Sequence, residues 1–258
     1  MNLGLEKSIV FIAGSSRGIG LAIAEAFLGE GACVAITGRN EKALGTAHQD
    51  LSDRYGKTHV LAICGDLTCE QGIEDALAQT ELHFGGLHHV VANIGSGRGA
   101  MGWDIASHDW RSMMDVNFFS GAMLASSGAR RLCQTGGGTV TFVSSIAGSD
   151  AKLAAPISYS AAKAAQQMTV KTLARELAVE NIRVNAVSPG NVLFPGGMWA
   201  EKLDADKTGV EGYIKENVPL NRFASPKEIA DAVLFLSSNR AGFMTGTIIE
   251  VDGGQSLS

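Results

Sequence analysis

Tyr159 and Lys163, in the stretch SYSAAK, stand four residues apart, so a helical backbone there places both side chains on one face. A free tyrosine has a pKa of about 10 and exchanges protons poorly near neutrality. A nearby ammonium favours the phenolate and is expected to lower that value, letting the phenol trade a proton with a substrate oxygen at working pH. Ser144 and Ser145 close an apolar run and open SSIAG, and a hydroxyl from either could donate a hydrogen bond to a carbonyl oxygen. Asn117, in DVNFFSG, is a poor helix-interior residue by propensity, to be read by itself as solvent-facing or helix-bending. Tyrosine and lysine at this spacing are common by chance, so the surrounding sequence has to supply something for them to act on.

That something is legible in AGSSRGIG, residues 13–20, where Gly14, Gly18 and Gly20 enclose Ser16, Arg17 and Ile19. The spacing is neither G-x-G-x-x-G nor a P-loop ending in Gly-Lys-Ser/Thr. Glycines between a strand and a helix let the backbone approach a pyrophosphate, and the helix N-terminus offers free N–H groups and partial positive charge. A tight strand-to-helix turn would read the same way in isolation. The next strand ends in ITGRN. Gly38 stands where an acid would bind the 2′-hydroxyl of NAD, and Arg39 follows it. Arg39 with Arg17 could grip a 2′-phosphate through charge-assisted bonds, which favours NADP(H) over NAD(H); the alternative is a solvated turn arginine.

These groups need a frame. Short Val- and Ile-rich runs at 8–13, 33–37, 59–64, 89–93, 139–144, 182–187 and 247–251 read as strands, the early ones nearly continuous in apolar residues, as strands buried on both faces are. Helical patterns fall between them at 19–30, 41–55, 70–84, 107–132, 159–180 and 226–237, the last opened by Ser225 and Pro226. Alternation of this kind predicts an α/β fold, a doubly wound (Rossmann) parallel sheet with helices on both faces. Its ligand crevice lies beyond the C-terminal ends of the strands. AGSSRGIG follows the first strand and Ser144 the fifth, so both reach that edge.

A chain of 258 residues with no low-complexity tract is expected to be one domain, residues 1–258. The net charge is −5 and no basic run exceeds the pair Arg130 and Arg131, which argues against nucleic acid or an anionic membrane as partner. No apolar segment approaches the ~20 residues of a membrane span. The apolar core IVFIAG near the start carries no signal-peptide cleavage pattern, so a cytoplasmic location is the expectation. Cys33, Cys64, Cys69 and Cys133 form no C-x-x-C pair and are expected to be reduced core thiols. The histidines, His88 and His89 included, show no metal spacing, and no metal is expected.

Taken in chain order, these motifs resemble the short-chain dehydrogenase/reductase family over essentially the whole chain. The resemblance aligns AGSSRGIG with the family's T-G-x-x-x-G-x-G, with Ala13 in place of threonine, and the catalytic tetrad with Asn117, Ser145, Tyr159 and Lys163. Ser145 matches better than Ser144 because the family's serine is followed by x-x-Gly, here Ile146, Ala147 and Gly148. It also implies that Asp66 and Leu67, in GDL, lie at the adenine, that Asn93 and Gly95 line the cofactor site, and that Pro189 and Gly190 close its far side. The implied reaction is hydride transfer to a ketone held by Ser145 and protonated by Tyr159. Lys163 would hold the nicotinamide ribose, and Asn117 would anchor a water leading to Lys163. The ending TGTIIEVDGG and the two long helices imply a homo-oligomer, a tetramer in many relatives.

This chain also departs from the pattern. Ile94 replaces alanine in N-N-A-G, Phe194 replaces a threonine near the carboxamide, and the backbone of Val192 is expected to contribute instead. A lid over the crevice is expected at about 191–218, with Phe194, Met198, Trp199 and Leu203 facing Met101 and Trp103 as an apolar wall. Arg98 could meet an anionic substrate or remain solvated. The leading expectation is an NADPH-dependent ketone reductase, with 3-oxoacyl thioesters as one substrate class. The alternatives are a sugar or polyol dehydrogenase and a non-catalytic NADP-binding regulatory subunit.

Overall fold

The computed structural model describes residues 2–151 and 155–257. Its strands are β1 (Ile9–Ile12), β2 (Cys33–Gly38), β3 (Val60–Cys64), β4 (His89–Ala92), β5 (Gly138–Val143), β6 (Ile182–Pro189) and β7 (Ile248–Val251). The helices between them are α1 (Gly18–Gly29), α2 (Glu41–Tyr55), α3 (Glu70–Phe84), α4 (Ser107–Met114), α5 (Ser120–Gln134), α6 (Ile157–Leu177), α7 (Met198–Ala205), α8 (Lys207–Asn217) and α9 (Pro226–Ser237). The strands form one parallel sheet in the order β3-β2-β1-β4-β5-β6-β7.

Alternation along each strand builds two cores. Val10, Ile12, Val34 and Ile36 face one side, where Ile23 and Phe27 of α1, Leu51 of α2 and Ile229 and Val233 of α9 cover them. Phe11, Ala35, Val90 and Phe142 face the other, under Leu77 of α3, Leu124 of α5 and Val170 of α6. Strands apolar on both faces follow from this double cover. The order of strands reverses between β1 and β4, so the loops after these two strands part and open a crevice at their C-terminal ends.

Two elements differ from the periodicity. The segment expected as one helix over 107–132 is α4 and α5 joined through a π turn, Asp115–Phe119, and the extra residue in that turn carries Asn117 inward. The lid segment contains two helices, α7 and α8, whose apolar residues pack on each other. The cysteines are not core thiols. Cys64 ends β3, Cys69 precedes α3 and Cys133 lies in the last turn of α5, all exposed, while Cys33 is partly buried and all four are free. As the sequence predicts, α9 opens on a Ser225 cap with proline at its first position, and Glu228 completes a capping box.

At the opposite end of the sheet from the crevice, His89 is buried with its Nδ1 2.8 Å from Thr139 Oγ1. Burial holds its pKa down to about 3, with His88 and Arg183 adding repulsion. His88, whose Nδ1 accepts from the Ile9 N–H at 2.9 Å, is lowered by burial too. The unfolded chain therefore takes up these protons first, so stability is full above about pH 6.5 and falls as the pH drops below it. Between pH 6.5 and 5.5, above the range where Glu74 and Glu228 take up protons in the unfolded chain, His89 alone should cost about 1 kcal/mol. Urea unfolding at both pH values measures this, and His89→Asn should flatten the dependence; an unchanged slope in the variant would refute the assignment.

Candidate active site

The glycine loop is built by the ends of β1, β2 and β4 together. Ser15 is fully buried, donates its hydroxyl to the Ile12 carbonyl at 2.7 Å and accepts from the Thr37 N–H at 2.8 Å. Thr37 Oγ1 in turn accepts from the Gly14 N–H at 2.9 Å. Asn93 Nδ2 donates to the carbonyls of Gly14 at 3.0 Å and Ala13 at 3.3 Å. Neither Ser15 nor Thr37 stands out in the sequence, because the bonds that join them form only once β1 and β2 lie side by side.

The loop's shape suits a dinucleotide. Gly14 and Gly18 have φ of 63° and 58°, and a Cβ on Gly20 would lie 2.3 Å from the Gly14 carbonyl oxygen. Helix α1 begins with no side-chain cap and no acidic residue in its first turn. Its first N–H groups are thus left for an anion. Ser16 lies in front of Gly38, where an added Cβ would sit 3.1 Å from its hydroxyl. Arg17 and Arg39 are both exposed at this edge. Asp66 is exposed as well. Thr68, through its backbone N–H and hydroxyl, holds that carboxylate below its usual range, and the Arg39 charge adds to the effect. Leu67 beside it is buried.

Across the crevice, the four polar residues singled out in the sequence converge. Ser145, just past β5, accepts from the Ala147 N–H and bonds through its hydroxyl to Tyr159. The Ser144 hydroxyl is buried and finds no partner among the described residues. Asn117, fully buried, accepts from the Ser96 N–H at 2.8 Å through Oδ1 and donates to the Ser96 and Met113 carbonyls at 3.1 Å each. Lys163 Nζ donates to the Val143 carbonyl at 3.0 Å and lies 5.8 Å from the Tyr159 ring centre. Gly95 closes the group, since a Cβ there would meet Asn117 Oδ1 at 2.9 Å and Lys163 Nζ at 3.4 Å.

The electrostatics differ from the expectation of a tyrosine acidified by lysine. Burial raises the Tyr159 pKa above its ordinary value, and the bond from Ser145 opposes this only in part. Burial also brings Lys163 down to about 7, which weakens its pull on the phenolate.

The lid touches both loops that flank the crevice. Pro189 pairs with Val251 and Gly190 donates to the Val251 carbonyl at 3.1 Å. Val192 bridges to Ala224 through the groups of its neighbours, leaving its own N–H and carbonyl out of that bridge. Phe194 lies over Gly18, Arg17 donates to the Gly196 carbonyl at 3.0 Å, and Met198 meets Gly97. Arg98 is exposed, as a solvated loop arginine would be, and pairs with Glu201 of α7. The expected apolar wall forms only in part. Trp199 stacks on Tyr213 inside the lid, Leu203 lines a separate cavity with Ile214, Ile94 packs on the core, and Met101 and Trp103 are exposed.

Residues 13–256 match a family model described as enoyl-(acyl carrier protein) reductase. The chain belongs to the short-chain dehydrogenase/reductase family. Among relatives, 3-oxoacyl-[acyl-carrier-protein] reductase FabG of Aquifex aeolicus is 31% identical over 260 residues, covering 98% of this chain and 99% of its own. The structure of L-sorbose reductase from Gluconobacter frateurii, solved with NADPH and L-sorbose, matches with a TM-score of 0.91 at 33% identity over 100% of both chains. A 7α-hydroxysteroid dehydrogenase solved with NADH and 7-oxo glycochenodeoxycholic acid matches with a TM-score of 0.90 at 30% identity, over 100% of this chain and 98% of its own. As a short-chain dehydrogenase/reductase, the protein is a nicotinamide-dependent oxidoreductase. No helix among the described residues is long and apolar enough to cross a membrane.

Proposed function

We propose that this protein reduces a ketone to a secondary alcohol with NADPH, and that Tyr159 is the proton donor. The observation that carries the reading is the Ser145–Tyr159 hydrogen bond at the crevice, with Lys163 buried behind it. The reduced nicotinamide, when bound, supplies the hydride. Ser145 donates a hydrogen bond to the carbonyl oxygen and fixes its position against Tyr159. A phenol whose pKa is raised by burial stays protonated throughout the neutral range, as an acid for reduction must. Tyr159 gives that proton to the oxygen as negative charge develops on it. Lys163 would hold the ribose, and Gly14, Ser16, Gly18, Ile19 and Gly20 would receive the pyrophosphate.

The substrate class we place first is a 3-oxoacyl thioester, the class named for the Aquifex relative. A ketose or polyol is the second reading, supported by the full-length match to L-sorbose reductase. Turnover of NADPH against an acetoacetyl thioester, a ketose and a simple diketone separates the two. Failure of every carbonyl to oxidise NADPH would leave the non-catalytic binding subunit instead.

Preference for NADPH rests on Gly38, Ser16, Arg17 and Arg39. Fluorescence titration should show NADPH binding more tightly than NADH, and Arg39→Ala should weaken NADPH about tenfold, the order of one exposed charge-assisted bond, while sparing NADH. Equal affinities in the parent protein would sink the preference.

A further inference from the structure

Helix α6 carries its chemistry at positions 159, 163 and 166, the i, i+4, i+7 spacing of one helix face. Gln166 is 1% exposed. Its Oε1 accepts from Lys163 Nζ at 3.3 Å, and its Nε2 donates to the Asn117 backbone carbonyl at 3.4 Å. The amide cannot be turned around without loss, because the Asn117 carbonyl only accepts and a lysine ammonium only donates. An aliphatic side chain would fill this space, beside Phe142 and Gly121, without the cost of burying an amide. Gln166 is therefore stationed between two of the four catalytic-site residues, and it is the second of only two acceptors recorded for the lysine among the described residues.

We propose that Gln166 is a positioning residue that holds Lys163 against the π turn at Asn117 and sets how readily the lysine carries its proton. An ammonium has three protons to place. The Val143 carbonyl and the Gln166 amide take two, which aims the third away from both acceptors. Each acceptor favours the charged form against the burial that disfavours it. Tyr159 is the titratable group that faces Lys163. The other titratable and charged groups on elements packed against α6 are His108, Asp109 and Arg111 of α4, Asp115 of the π turn, Arg130, Arg131 and Cys133 of α5, Glu180 just past α6 and Arg183 of β6, and none of them shifts the lysine. The Gln166 amide is the one polar side chain recorded in hydrogen-bond contact with the ammonium among the described residues. The neighbouring Gln167 does parallel work on the other flank, donating to the Ser145 carbonyl at 3.0 Å and to the Ser188 hydroxyl at 3.1 Å.

The importance of this for turnover rests on the role given to Lys163 above, but the coupling itself can be read without turnover. The protein is labelled with ε-13C-lysine, the Lys163 signal is assigned by its loss in Lys163→Met, and its titration is followed by NMR in the absence of nucleotide. Gln166→Glu, nearly isosteric, puts a carboxylate on the amine and should raise the midpoint by about 1–3 pH units. Gln166→Met keeps the length, removes the acceptor and should lower the midpoint below that of the parent. Coincident midpoints in the parent and Gln166→Glu overturn the proposal even if the enzyme reduces ketones. Displaced midpoints in a protein that turns over no carbonyl uphold it while the reductase reading falls. Should Gln166→Met fail to fold, the glutamate variant decides alone.

Discussion

Replacing Tyr159 by phenylalanine should lower turnover by about 10²–10⁴-fold, the range of a general acid, with NADPH affinity nearly unchanged. The ring and its packing remain, and what disappears is the hydroxyl that Ser145 contacts at the crevice. That hydroxyl matters mainly as the substrate oxygen gains charge, so its loss belongs in kcat more than in binding. Steady-state kinetics beside a fluorescence titration of NADPH measure both quantities. A Tyr159→Phe protein that keeps most of its turnover would overturn the mechanism, whatever the family of the chain.

Gly20→Ala should abolish tight dinucleotide binding and destabilise the fold together. The added methyl would lie 2.3 Å from the Gly14 carbonyl oxygen, 2.6 Å from Asn93 Nδ2 and 2.8 Å from the Ser15 Cα. Two of these neighbours are backbone and the third ties the loop to β4, so nothing can swing aside without opening the loop. Overpacking of this kind costs about 1–3 kcal/mol, and the same movement displaces the N–H groups proposed to receive the pyrophosphate, for an expected loss of NADPH affinity above roughly tenfold. Gly45→Ala is the control. Gly45 lies exposed within α2 with open space around it, and alanine there should stabilise by about 0.5–1 kcal/mol. Thermal unfolding and NADPH titration of both variants test the contrast, and parental values for Gly20→Ala would refute it.

Much of this molecule is legible in its sequence because the signals are local. Buried parallel strands need continuous apolar runs, so β1, β2 and β4 announce themselves in IVFI, CVAITG and HVVA. The turn after β1 needs residues without side chains, so Gly14, Gly18 and Gly20 mark it. Tyr159 and Lys163 share a face because a helix repeats every 3.6 residues, whatever surrounds it.

What only the tertiary structure decided depends on neighbours far along the chain. Burial by the whole fold, with no nearby carboxylate, moves Tyr159 up and Lys163 down, against the direction that the pair by itself implies for the tyrosine. A π turn carries Asn117 inward to Ser96, twenty-one residues away, and no local propensity specifies that extra residue. Arg98 and Trp199 read as free to meet substrate until Glu201 and Tyr213 pack against them. Gln166 and Gln167 look like ordinary polar positions on a helix, and become buried ties to Lys163, Asn117 and Ser145 only when β5, β6 and the π turn close over α6. Periodicity and backbone preference act over a few residues and so can be read in order along the chain. Desolvation and hydrogen-bond partnership are sums over everything that folding brings near, and they exist only once the elements have packed.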